Sequence, residues 1–186
     1  MTQYTKKAIL GNFETMLEEM PFDKITVSAL VRRCEISSNT FYYHYRDIYD
    51  LLDAWLHEKF SLYAAPMSMC DGWRAAAKAL LRDCADDPNM VYHVFNSISR
   101  DRLERFIFSL SSDVFFRLVS DAAADYAVPV DKLHEIADLC RYSFGGLFLR
   151  FLWGRMKEDV DQMVDSYGEL IEGFVEGAVR KYPRRI

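Results

Sequence analysis

The chain has 186 residues, a net charge of -5, 51% hydrophobic and 15% aromatic residues. That composition excludes a disordered or collagen-like chain and allows one or two small domains around a sizeable core. No apolar run is long enough to span a membrane: the closest approach, Phe144 to Trp153, is short and carries Arg150.

The N-terminus does not read as a signal peptide, and Cys34, Cys70, Cys84 and Cys140 lack metal-ligand spacing. A reducing cytoplasm is therefore the expected location, with no metal and no cofactor. Eight glycines and five prolines leave long stretches free of breakers and favour helix. Ile9, Phe13, Met16, Leu17 and Met20 fall at helical spacing and predict a first helix over 3–20. Pro21 stops it, and Phe22 is expected to pack back on the core. Thr26 is the natural N-cap of a second helix, with Val27, Leu30 and Val31 on its buried side and its end near Cys34. Ser37 caps a third helix over 38–44. Asp47 caps a fourth, striped by Leu51, Leu52, Trp55 and Phe60, that runs to about 64 before Pro66. Five more helices are predicted at 71–86, 88–98, 100–127, 131–156 and 159–181. Pro88 suits a first-turn position, Pro129 separates the seventh from the eighth, and Asp131 is the expected cap after it. No segment alternates with period two, so the fold class is all-α, about nine helices without a sheet. Residues 1–46 read as a three-helix helix-turn-helix domain and 47–186 as a larger helical domain, with helix 47–64 linking the two.

The third helix carries the chemistry. Successive residues rotate by about 100°, so Phe41 and Tyr45 face the other helices. Asn39, Thr40 and Tyr43 point away, and Tyr42 and His44 lie on the flanks. A purely structural aromatic stripe does not account for Phe41-Tyr42-Tyr43-His44-Tyr45, because five consecutive large residues cannot all face one core. The outward groups suit phosphates, base edges and thymine methyls in a major groove. Ser37 and Ser38 add backbone N–H groups at the helix start. Charge is the contrary sign: within the first 59 residues seven Lys or Arg oppose nine Asp or Glu, whereas phosphate contacts usually supply much of the affinity for DNA.

The elements Ile25-Thr26-Val27, Cys34-Glu35-Ile36-Ser37 and Thr40-Phe41-Tyr42-Tyr43-His44-Tyr45, with Asp47 and Leu51-Leu52, resemble the N-terminal domain of TetR/AcrR-family transcriptional regulators. The run from Thr40 to Leu52 is similar to the subgroup related to dihydroxyacetone kinase regulators. The likeness covers about residues 5–60, and beyond it holds only in outline. It implies base or phosphate contact by Thr40, Tyr42, Tyr43 and His44, with Ser37 and Ser38 at the start of the recognition helix; Asn39 joins them by its outward position, and Lys6 and Arg46 as cations expected to reach the backbone. Three departures stand out. Glu35 replaces a common turn glycine, Ser38 a frequent cation, and Ile48 a lysine often found at the start of the fourth helix. They imply altered turn geometry, and either weak or unusual DNA affinity or reliance on Lys6, Lys7, Lys24, Arg32, Arg33 and Arg46.

In the C-terminal part, Met163, Tyr167, Leu170, Phe174 and Ala178 run near heptad spacing, with Gly173 and Gly177 leaving room for another helix. Together with Phe144, Leu147, Phe148 and Phe151 they predict a four-helix interface across a two-fold axis; packing within one chain is the competing reading. The Gly145-Gly146 pair implies close packing or a kink. The resemblance implies the same homodimer and an effector pocket, for which Tyr63, Trp73, His93, Phe95, Phe116, Arg117, Tyr142 and Trp153 are candidates. Arg141 and Arg150 would suit an anionic ligand if turned inward, and surface ion pairs otherwise. No catalytic constellation is legible: His57, His93 and His134 lack carboxylate or cysteine partners at local spacing.

The expectation is a non-enzymatic, dimeric regulator that binds a palindromic operator in double-stranded DNA. It acts as a repressor released by a small-molecule effector. The alternative is a co-activator or adaptor working through a partner sensor protein; an enzyme built on His93 or His134 is the weakest reading.

Overall fold

The structure, a computed structural model, describes residues 2–64 and 72–184. Among the described residues the fold is all-α, as expected. The helices are α1 (Thr2–Glu19), α2 (Val27–Arg33), α3 (Ser38–His44), α4 (Ile48–Ala64), α5 (Gly72–Asp86), α6 (Pro88–Phe95), α7 (Arg100–Ala122), α8 (Val130–Trp153) and α9 (Val160–Val179), with a short 3-10 turn at Phe22–Lys24. No helix among them is long and apolar enough to cross a membrane.

Side-chain caps set several starts. Thr26 Oγ1 accepts the Ala29 N–H at 3.2 Å, and Ser37 Oγ accepts the Thr40 N–H at 3.1 Å. Asp47 Oδ1 accepts from both Tyr49 and Asp50 at 2.8 Å. Each satisfies donors that a helix start leaves unpaired, and such a cap typically contributes about 1 kcal/mol. Asp131 is not the cap of α8. Pro129 holds that position without a side-chain bond, and Asp131 sits in the first turn, where a carboxylate suits the helix dipole. α7 ends at Ala122 rather than near 127. The chain there turns, Ala127 N–H donates to Pro183 O at 2.8 Å, and Tyr126 bridges to Arg184.

Two compact units are present. The first comprises the chain up to Ser61 together with Asp87–Leu103. It includes most of α4, whose Leu51, Leu52, Trp55 and Leu56 are buried. Phe13 is its centre, edge-on to Phe22 at 6.2 Å and to Trp55 at 6.3 Å. Ion pairs Arg33–Glu19 and Lys59–Glu14 tie α2 and α4 to α1. α6 joins through His93, whose Nδ1 donates to the Leu17 carbonyl at 2.7 Å. That carbonyl lies in the last turn of α1, where no intrahelical donor is available.

The second unit comprises Leu62–Asp86 and the chain from Glu104 onward. Trp73, Phe115, Phe144 and Tyr167 form an aromatic cluster with ring centroids 5.6–6.4 Å apart. Over it, α5 and α9 are joined by an ionic ladder. Arg74 meets Glu172 at 2.6 Å, Lys78 meets Asp165 at 2.8 Å, and Arg82 meets Asp161 at 2.5 Å. Gly168 makes the ladder sterically possible, since a Cβ there would overlap the Arg74 guanidinium. Gly145 packs against Phe108, whereas Gly146 faces open space. α8 ends in a tight turn: Arg155 and Met156 take φ of 60° and 55°, and their N–H groups bond to Leu152 O and Phe151 O.

Candidate nucleic-acid interface

The interface is assembled from α2, the turn after it and α3. Glu35 sits in the left-handed region at φ 54°. Its N–H bonds to Arg32 O at 3.3 Å, and the Ile36 N–H bonds to Val31 O at 3.0 Å. This paired closure of a helix C-terminus favours glycine, and an L-residue there costs about 1–2 kcal/mol. The chain keeps the glycine-type geometry with a glutamate.

α3 is held by its inner face. Phe41 is wholly buried and Tyr45 nearly so, their rings 5.8 Å apart. Burying each contributes about 2 kcal/mol. Burial also pushes the Tyr45 hydroxyl up to about 12, so it stays protonated. The outer face carries Asn39, Tyr42 and Tyr43, with Tyr43 75% and Tyr42 56% exposed. Both phenols are braced by a neighbouring ring: Tyr42 edge-on to Phe41 at 5.4 Å, Tyr43 edge-on to His44 at 5.1 Å. Thr40 points outward less than its position predicts. It is half-buried, its hydroxyl 2.8 Å from that of Ser37, so both hydroxyls are engaged in the first turn. Ser38 is exposed.

Several of the cations around this helix are matched to carboxylates. Arg33 meets both oxygens of Glu19 at 2.5 and 2.7 Å, which holds that carboxyl below the usual carboxylate range. Arg46 meets Asp50, and Lys24 lies 3.4 Å from Asp23. Lys6 stands 5.9 Å over the Tyr45 ring, and Lys7 and Arg32 are exposed. Among the described residues no group of acidic, His and Cys side chains is arranged to hold a metal.

Two family patterns match this chain. Residues 14–55 match the pattern for bacterial regulatory proteins of the tetR family, and residues 71–173, more than half of the chain, match a transcriptional regulator C-terminal region of the same family. The chain belongs to the TetR family of transcriptional regulators. Similarity to solved structures extends over nearly its full length. The dihydroxyacetone kinase operon activator DhaS is 16% identical, with 92% of this chain and 96% of that one covered at a TM-score of 0.69. A TetR-family transcriptional regulator from Pectobacterium atrosepticum is 14% identical, with 98% and 97% covered at 0.57. At these identities the likeness shows the shared fold. No curated protein matches the chain.

Within this TetR-family chain, the expected effector-pocket residues are distributed over both compact units. His93 and Phe95 lie on α6 in the first unit, where His93 caps α1. Trp73 is buried in the aromatic cluster, its Nε1 donating to Glu172 at 3.2 Å. Phe116 stacks on His134 at 4.4 Å, while Arg117, Tyr142 and Trp153 are exposed. The side chain of Tyr63 lies outside the described residues. Arg141 and Arg150 are engaged in surface pairs with Asp138 and Glu158. Sequence spacing could not separate these fates, because each depends on which helix lies opposite.

The expected dimer residues divide in two. Phe144, Leu147, Phe148, Phe151 and Met163 are already buried in the single chain, which favours the competing reading of packing within one chain. Tyr167 and Ala178 are half-buried, and Leu170 and Phe174 are exposed. Exposed apolar residues also mark a second face of α8 that the sequence reading missed: Leu139, Tyr142 and Trp153, in register with Gly146. Their signal was present as a second stripe behind the phenylalanines. Between α8 and α9 an open groove of about 420 Å³ is lined by Leu147, Arg150, Gln162, Ser166 and Leu170, among others.

Proposed function

We propose that this chain is a dimeric repressor that reads a palindromic operator with the outer face of α3 and is released by a small-molecule effector. One observation carries the DNA-reading part: a capped helix anchored by Phe41 and Tyr45 presents Asn39, Tyr42 and Tyr43 to solvent. Two large phenols mostly exposed on a short, anchored helix suit phosphate contacts and base edges in a major groove. Ser38, His44, Lys6 and Arg46 border the same surface; Ser37 and Thr40 shape its first turn. Two copies are needed for a palindrome, and the exposed apolar residues of α8 and α9 are the candidates for the contact between them.

Activation through a partner protein is the second reading. It is favoured by the fold likeness to DhaS, which is named an operon activator. The two differ in the sign of the response when the gene is deleted.

The deciding experiment selects bound duplexes from a random pool at stated salt, with Tyr43→Ala alongside. A palindrome enriched by the wild-type protein and lost, or relaxed at one position in each half-site, in the variant supports the reading. No enrichment at low salt sinks it.

A further inference from the structure

We propose that Asp50 is a built-in competitor for the DNA backbone: it occupies Arg46 as a phosphate would, and so limits the affinity of the reading helix. The inference rests on α3 being the DNA-contacting helix. Arg46 follows α3 by two residues and is exposed. In the pair, the acid is the fixed member. Asp50 Oδ2 accepts the Arg46 backbone N–H at 2.9 Å, while Oδ1 accepts from Nη2 at 3.1 Å. The Asp50 side chain is 29% exposed against 88% for Arg46. The guanidinium is thus almost wholly in solvent and held by one side-chain bond, free to exchange one oxyanion for another without moving the backbone.

The same carboxylate is also within electrostatic reach of Lys6, whose ammonium stands over Tyr45. One anchored acid therefore offsets cations from two elements, α1 and the turn before α4. This gives the acidic balance of the N-terminal region a local meaning. A phosphate approaching Arg46 must displace Asp50 or share the guanidinium with it, and meets the repulsion of its negative charge. Binding then releases fewer counterions than the number of nearby cations suggests.

The test measures affinity of the full-length protein for a labelled duplex of the selected sequence across a salt series. Four proteins are compared with wild type: Asp50→Asn, Arg46→Ala, the double variant, and Asp125→Asn as a net-charge control in the other unit. Asp50→Asn is expected to bind at least about 2-fold tighter per half-site, the size of a surface pair of this kind. Its salt slope should steepen by about 0.9 per half-site. The control should stay within about 2-fold of wild type, the double variant should lose the gain seen in Asp50→Asn, and Arg46→Ala alone, which leaves the acid unpaired beside the phosphates, should bind more weakly than wild type by less than about tenfold. Tighter, more salt-sensitive binding that disappears in the double variant supports masking. Unchanged or weaker binding by Asp50→Asn overturns it, because the acid then positions the arginine or does nothing. If Asp50→Asn does not fold, Arg46→Ala decides: a loss beyond about tenfold shows an arginine already at work on phosphate. No binding by the wild-type protein removes the DNA reading itself, and this inference with it; failure with wild-type binding intact touches the inference alone.

Discussion

Position 35 requires a left-handed backbone, and glutamate meets that requirement at a cost. The hydrogen bonds that close α2 fix the geometry, so the side chain adapts to the turn rather than the turn to the side chain. Glu35→Gly is expected to raise stability by about 1 kcal/mol, less the extra entropy of glycine in the unfolded chain. Glu35→Val, β-branched where φ is positive, should lower it by about 1 kcal/mol or more. Urea unfolding of the two variants checks this, and the ranking Gly above Glu above Val is the outcome that matters. The sequence marked position 35 only by contrast with a family habit; nothing in the residue itself announces its φ. Asp47, Thr26 and Ser37 were legible because a cap bonds within three residues of itself. His93 was not, because its acceptor, the Leu17 carbonyl, lies 76 residues away.

At the scale of elements, periodicity gave the helices and their starts, with ends up to five residues too long, while the partners of each helix face stayed hidden. α8 is the clearest case. Its phenylalanines read as an interface, but they are already buried in the single chain, and the interface candidates Leu139, Tyr142 and Trp153 lie on the opposite stripe. The α5–α9 ladder depends equally on tertiary context. Arg74, Lys78 and Arg82 share one face of α5, and the acids they meet become neighbours only when α9 folds alongside. Gly168 gives a sharp test. Alanine there gains about 1 kcal/mol of helix propensity, yet its Cβ would displace a guanidinium bonded to Glu172 at 2.9 and 2.6 Å. Gly168→Ala is expected to destabilise the protein by about 1 kcal/mol, the charge-assisted bonds outweighing the propensity. In an Arg74→Ala background the same change should stabilise it by about 1 kcal/mol. Thermal unfolding of the four proteins measures the coupling directly.

At the scale of the whole molecule, reading a palindrome requires two copies of the chain. Leu170 is 72% exposed and Phe174 43%, beside Gly173 and Gly177, which face open space in the single chain. On the proposed dimer, with Phe174 at its seam, Phe174→Asp is expected to leave the fold intact and to cost the association about 2 kcal/mol from each copy. Dissociation would then rise about a thousandfold, visible by sedimentation at micromolar concentration, with operator affinity falling in step. The family and the all-α class were legible in the sequence. The compact unit that joins Asp87–Leu103 to the N-terminal helices was not, because a discontinuous unit leaves no local pattern. The acidic reading head finally bears on how such a regulator finds its target. Retention on arbitrary DNA scales with uncompensated cations, and a genome offers about a million or more decoy sites. On the proposed reading, a head with several of its cations answered by its own carboxylates spends less time on decoys, which leaves more of the protein free to find its operator.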